Sequence, residues 1–157
     1  MREVTVKSIK LNRDLDGMLS EALERDLLVR IGWGRGGDEK PKKGEIGAIT
    51  HLPPKSRVLL LGDLGECAGA MNRGGTFTLQ GSSTSMLGAF QQNGRIVVEK
   101  DVGDRLGYMM TGGEITVQGS AGDEAGAGIC GGTILVRGHA GKMVGAGMRG
   151  GDRKSVV

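Results

Sequence analysis

Three stretches of this 157-residue chain have the spacing G-x-G-x-x-G: Gly32, Gly34 and Gly37; Gly126, Gly128 and Gly131; and Gly145, Gly147 and Gly150. Glycines so spaced let a backbone turn press its N–H groups against the pyrophosphate of a dinucleotide. That use requires a leading strand, a following helix and, about 20 residues on, an acid for a ribose hydroxyl. Only seven residues follow Gly150, and the stretch at 32 runs into DEKPKKGE, whose proline and lack of an apolar stripe open no helix. Carboxylates offer a second chemistry. Glu66, Asp104 and Asp123 recur at related spacings and could form a row that holds a cation. Asp104 and Asp123 could also flank a glycosidic bond, whose cleavage needs carboxyl groups roughly 5 to 10 Å apart. Ser85 and Lys142 occupy the same row, which favours a solvated turn, and the aromatic residues that line a sugar groove are nearly missing. Cys67 and Cys130 form no C-x-x-C pair and His51 and His139 are isolated, so neither a zinc site nor a redox pair is suggested.

The three glycine matches share a cause. Cutting the chain at 57, 76, 95, 114 and 133 gives RVLLLGDLGECAGAMNRGG, TFTLQGSSTSMLGAFQQNG, RIVVEKDVGDRLGYMMTGG, EITVQGSAGDEAGAGICGG and TILVRGHAGKMVGAGMRGG, five units of 19 residues without insertion or deletion. Such a repeat must be recognised before any local motif is believed. The second position is Val58, Phe77, Ile96, Ile115 and Ile134, and the fourth is Leu60, Leu79, Val98, Val117 and Val136, the alternation of a half-buried strand. Two further rows are small or aliphatic with one exception: Leu64, Ser83, Val102, Ala121 and Ala140, then Ala68, Leu87, Leu106, Ala125 and Val144.

Glycine fills the thirteenth position of every unit (Gly69, Gly88, Gly107, Gly126, Gly145) and the nineteenth (Gly75, Gly94, Gly113, Gly132, Gly151). These ten are expected to be structural corners, where the chain needs positive φ or close backbone approach. Nineteen residues are too few for a helical hairpin, and the asparagine ladder of leucine-rich repeats is missing. The pattern therefore predicts a mainly β chain: a parallel coil of short strands and turns, stacked at roughly 4.8 Å per coil. The dinucleotide spacing is then a by-product of stacked corners.

Ahead of the coils, Val4, Val6 and Ile9 predict a strand. Leu15, Met18, Leu19, Ala22, Leu23 and Leu27 fall on one face of a helix that Gly17 weakens, and 27–31 reads as a second strand. Residues 32–56 read as a long loop or an irregular first coil. The organisation expected is a strand-helix-strand cap and loop over 1–56, a five-coil β-helix over 57–151 and a tail over 152–157. DRKSVV at 152–157 puts Arg153 and Ser155 where a sixth coil needs apolar residues, and a common sequencing adapter encodes the same six residues in one frame. The tail is therefore expected to be foreign, with further coils in the natural chain.

A formal charge of +3, scattered basic residues and 3% aromatic content give neither a basic stripe nor a stacking platform for nucleic acid. No apolar run of 18 residues and no signal-peptide pattern is present, so a soluble cytoplasmic protein is expected, with no membrane partner.

The units GGTILVRGHAGKMVGAGMRGG and GGEITVQGSAGDEAGAGICGG resemble the G-x-G-x-G coils of one family. It comprises the C-terminal domain of the glutamate synthase large subunit, its stand-alone versions, and the coil-bearing subunit of formylmethanofuran dehydrogenase. The resemblance covers 57–151, and it implies a right-handed single-stranded parallel β-helix without catalytic, cofactor-binding or metal-binding residues of its own. The glutamate synthase type implies a brace between a glutamine amidotransferase and a synthase carrying FMN and iron–sulfur clusters, along the route of ammonia. The residues at 4–27 are similar to the start of stand-alone versions of this type. The formylmethanofuran dehydrogenase type implies a brace for a molybdopterin subunit holding molybdenum or tungsten, and a free-standing interaction protein is a third possibility.

Overall fold

Apolar side chains two residues apart, with glycine on either side, favour a short strand that buries one face. The computed structural model, which describes residues 3–6, 15–32 and 46–148, has such a strand at each unit start. These are β3 (Arg57–Leu61), β4 (Arg73–Gln80), β5 (Asn93–Val98), β6 (Glu114–Val117) and β7 (Thr133–Val136). They follow β1 (Glu3–Val6), α1 (Leu15–Glu24) and β2 (Leu28–Ile31). All seven strands form one parallel sheet in sequence order. A chain that returns each time to the neighbouring place in a parallel sheet is a solenoid, and this one has four complete turns from β3 to β7 and the described part of a fifth.

The register advances by the repeat length. Val58 lies beside Phe77, Phe77 beside Ile96, Ile96 beside Ile115 and Ile115 beside Ile134. These five, with Leu60, Leu79, Val98, Val117 and Val136, are at most 6% exposed. Of the two further inward rows, Leu64, Ser83, Val102 and Ala121 are buried, and so are Ala68, Leu87, Leu106 and Ala125. Val144 is partly buried and Ala140, in the last described coil, is exposed. A fifth inward row is not apparent from residue types: Asn72, Gln91, Met110 and Ile129 are all 0% exposed. Asn72 is tolerated there because its amide closes a local turn, accepting from Gly74 N and Gly75 N at 3.0 and 2.8 Å and donating to Gly75 O at 2.8 Å.

The remainder of each coil has no strand, yet its backbone is bonded coil to coil. Leu64 N–H donates to Ser82 O, Met71 N–H to Ala89 O and Gly88 N–H to Ala68 O, at 2.8 to 2.9 Å. The irregular first coil is present over 46–56. Gly47 N–H donates to Glu66 O and His51 N–H to Ala70 O, while Ala48, Ile49 and Leu52 join the core.

The strand-helix-strand unit continues the sheet by two strands. Leu19 and Ala22 of α1 and Leu27 just beyond it enter the same core as Val29 and Ile31 of β2, while Gly17 is exposed. Arg57 of β3 holds the turn after α1, donating to Asp26 O at 3.0 Å and Asp26 Oδ1 at 2.8 Å. The expected strand residue Ile9, much of the 32–56 stretch, and the tail at 152–157 lie outside the described residues. Among the described residues no helix is long and apolar enough to cross a membrane.

Candidate functional site

Each coil turns its sharpest corner with three left-handed residues at alternating positions: 67, 69 and 71, then 86, 88 and 90, and so on to 143, 145 and 147. In the five 19-residue coils the middle one is glycine, with φ of 67, 66, 64, 72 and 70° at Gly69, Gly88, Gly107, Gly126 and Gly145, whereas the irregular first coil has Gly47, Ile49 and His51 in this arrangement. The outer two are mostly not: Cys67, Met71, Met86, Phe90, Arg105, Met109, Glu124 and Met143 have φ between 52 and 61°. Left-handed backbone alone therefore does not demand glycine here. Space does. A Cβ on Gly88 would stand 2.5 Å from Ile115 Cδ1, and one on Gly107 equally close to Ile134 Cδ1. The middle residue crosses over core side chains of the two coils that follow, closest to the second of them, whereas its neighbours point outward.

The nineteenth position divides. Gly94, Gly113 and Gly132 have φ of 87, 83 and 89° and pass close to the backbone of the preceding coil. At Gly75 the left-handed residue is instead Gly74, because β4 starts early with a register shift between Arg73 and Thr76. Gly75 is glycine for closeness, since its Cβ would lie 2.8 Å from Leu52 Cβ. Gly151 lies outside the described residues. The dinucleotide spacing at 126 and 145 falls on these corners, and no helix follows either among the described residues.

The carboxylate row has a use that neither cation binding nor a solvated turn anticipates. Asp104 Oδ1 accepts from Asp123 N–H at 2.7 Å, and Asp123 Oδ1 accepts from Lys142 N–H at 2.8 Å. A second ladder runs up the seventh position. Asp63 accepts from Ser82 N–H at 2.8 Å, Ser82 Oγ from Asp101 N–H at 3.3 Å, Asp101 from Ser120 N–H at 2.8 Å, and Ser120 Oγ from His139 N–H at 3.0 Å. A short side chain with an acceptor, recurring every 19 residues on an outward turn, is the signal that could have revealed it. These groups hold coil to coil. Among the described residues, no three His, Cys, Asp or Glu side chains gather as a metal site, and both cysteines are free thiols.

The outward corner residues form two vertical rows with a third between them: Ala70, Ala89, Tyr108, Ala127 and Ala146. Tyr108 emerges between the rows. Its ring meets Phe90 edge to face at 5.7 Å, and the Arg105 guanidinium lies over it at 5.7 Å. Arg105 Nε also donates to Glu124 Oε2 at 3.1 Å. That hydrogen bond, and the charge behind it, hold the guanidinium above its ordinary pKa, so Arg105 stays cationic. Beyond Tyr108 the wall falls away. The outer row shrinks from Met71, Phe90 and Met109 to Gly128 and Gly147, and the middle row from Tyr108 to Ala127 and Ala146. The result is an open hollow of about 380 Å³, floored by these small residues and walled by Tyr108, Met109, Arg105 and Glu124. A smaller one of about 260 Å³ lies on the outer sheet face over Leu28, Arg57, Leu59, Thr76 and Thr78.

No family model, curated protein or solved structure matches the chain. What the geometry defines is a parallel β-solenoid whose outer turns are committed to coil-to-coil bonds, with one aromatic and methionine-bearing corner.

Proposed function

We propose that the chain is a non-catalytic scaffold subunit or domain of a glutamate synthase-type complex. It braces a glutamine amidotransferase against a synthase that carries FMN and iron–sulfur clusters, beside the path of ammonia. The observation that carries this reading is the committed exterior. Asp63, Ser82, Asp101, Asp104, Asp123 and Ser120 each tie their coil to the next. A brace needs long flat faces fixed by their neighbours, and a stacked solenoid supplies them. The G-x-G-x-x-G-G corners and V-x-G-x-A-G turns resemble those of the glutamate synthase and formylmethanofuran dehydrogenase coils.

The test is to sequence the genes flanking the native locus and co-express their products with this chain. Stable assembly with an amidotransferase and a flavin-binding synthase is expected. Omission of the chain should lower glutamine-dependent glutamate formation and spare the reaction supplied with free ammonia. Flanking genes for a molybdopterin subunit that binds the chain would overturn the assignment and make it the formylmethanofuran-type brace. Absence of any such neighbour would leave a free-standing interaction protein.

A further inference from the structure

We infer that the hollow beside Tyr108 is a docking pocket for one apolar side chain on a basic segment of a partner protein. The inference rests on the bracing role proposed above for the existence of a partner, and names the place of contact and the chemistry that fits it.

The first argument is that nothing in the backbone requires the hollow. At the position of Gly128 and Gly147 other coils carry Met71, Phe90 and Met109 with the same left-handed φ. Among the described residues a Cβ on Gly147 would meet nothing nearer than Gly128 N at 4.0 Å, and one on Gly128 would meet Met109 Cγ at 3.0 Å. The small residues at 127, 128, 146 and 147 thus leave open a place that the fold can fill. The walls are of the kind that anchors protein contacts: an aromatic ring held on two sides, a thioether and a fixed guanidinium. Large apolar side chains stand exposed nearby, Phe90 at 42% and Met143 at 67%.

The second argument is charge. The five corner segments 66–71, 85–90, 104–109, 123–128 and 142–147 carry Glu66, Asp104, Asp123 and Glu124 against Arg105 and Lys142. Four negative and two positive charges give −2, in a chain whose formal total is +3. Glu66, Asp104, Asp123 and Lys142 are exposed. An apolar side chain flanked by lysine or arginine complements this corner, whereas one flanked by acids is repelled. The corner does not fit nucleic acid, whose phosphates would meet the same carboxylates.

The test uses fluorescence anisotropy with two labelled synthetic peptides, one with a central leucine between lysines and one with the same leucine between glutamates. The lysine peptide is expected to bind at least about tenfold more tightly, a difference of about 1.4 kcal/mol. Gly147→Met should weaken it about tenfold by filling the hollow, with far-UV circular dichroism unchanged. Should Gly147→Met not fold, Tyr108→Ala, which removes one wall, carries the same expectation. Equal binding of both peptides, no binding of either, or a Gly147→Met or Tyr108→Ala variant that binds like the parent overturns the inference. The two readings fail separately. An assembly with the synthase that survives Gly147→Met and Tyr108→Ala removes the pocket but keeps the brace, and peptide binding without any such assembly does the reverse.

Discussion

Replacing Gly107 by alanine should be costly, and the cost can be divided into its causes. Alanine at 107 must keep a φ near 64°, at about 1–2 kcal/mol for an L residue in the left-handed region. Its Cβ must also displace Ile134 Cδ1, which lies 2.5 Å away with Ile115 Cδ1 behind it at 3.4 Å. Overpacking of this kind adds about 1–3 kcal/mol, so Gly107→Ala is expected to lose about 2–5 kcal/mol. Gly128→Ala is the internal control, because its φ is 67° and its new Cβ meets Met109 alone, at 3.0 Å from Cγ and in ordinary contact with the backbone at 3.8 and 3.9 Å. It should lose about 1–2 kcal/mol, the backbone part alone. Ile134→Val deletes the obstructing methyl. Alone it should cost about 0.5–1.5 kcal/mol, but in the Gly107→Ala background it should cost nothing or restore stability, a coupling of about 1–2 kcal/mol. Urea unfolding followed by circular dichroism reads the parent and the four variants, and a constant slope shows that only the folded state has changed. Equal losses for Gly107→Ala and Gly128→Ala, or strict additivity with Ile134→Val, would refute the steric account of the corner.

Two further substitutions address the polar groups. Asp104→Ala removes the acceptor for Asp123 N–H and should lower stability by about 1–3 kcal/mol, whereas Asp104→Asn keeps an oxygen in place and should lose less than half as much; indistinguishable urea midpoints for the two would dissolve the ladder as a stabilising feature. Gln91 is buried with Oε1 unpartnered and Nε2 bound at 3.2 Å to Gly94 O and Glu114 O, and the next coil has Met110 in its place, so Gln91→Met should shift the melting free energy by less than about 1 kcal/mol; a loss of several kcal/mol would show that those two bonds matter more than their length suggests.

The strand rows were legible because alternation survives wherever one face is buried, as in Val58 and Leu60 or Ile96 and Val98. Legibility ended where polar residues took inward places. Asn72 and Gln91 hide the fifth inward row because their amides bond to turns that only the folded corner creates, Asn72 through both amide atoms and Gln91 through Nε2. The ladder through Asp63, Ser82, Asp101 and Ser120 was hidden for a related reason: its residue types differ, and what they share is an acceptor at one height. The left-handed outer positions carry Cys67, Met86, Arg105 and Glu124, which no propensity associates with positive φ. The hollow itself is a difference between rows, large at Tyr108 and Met109 and small one coil later, and it is visible only once rows are known to lie side by side.

The constant 19-residue offset of the inward strand residues, from Val58 and Leu60 in β3 to Ile134 and Val136 in β7, also makes the molecule a ruler. Duplicating one repeat in the gene would lengthen the stack by about 4.8 Å and give every new side chain a neighbour of the kind it already has. Gaining or losing one residue within a strand would instead turn that strand's later inward side chains outward. Length can therefore change in whole coils and in nothing smaller, so surfaces carried at the two ends of the stack are spaced in fixed increments.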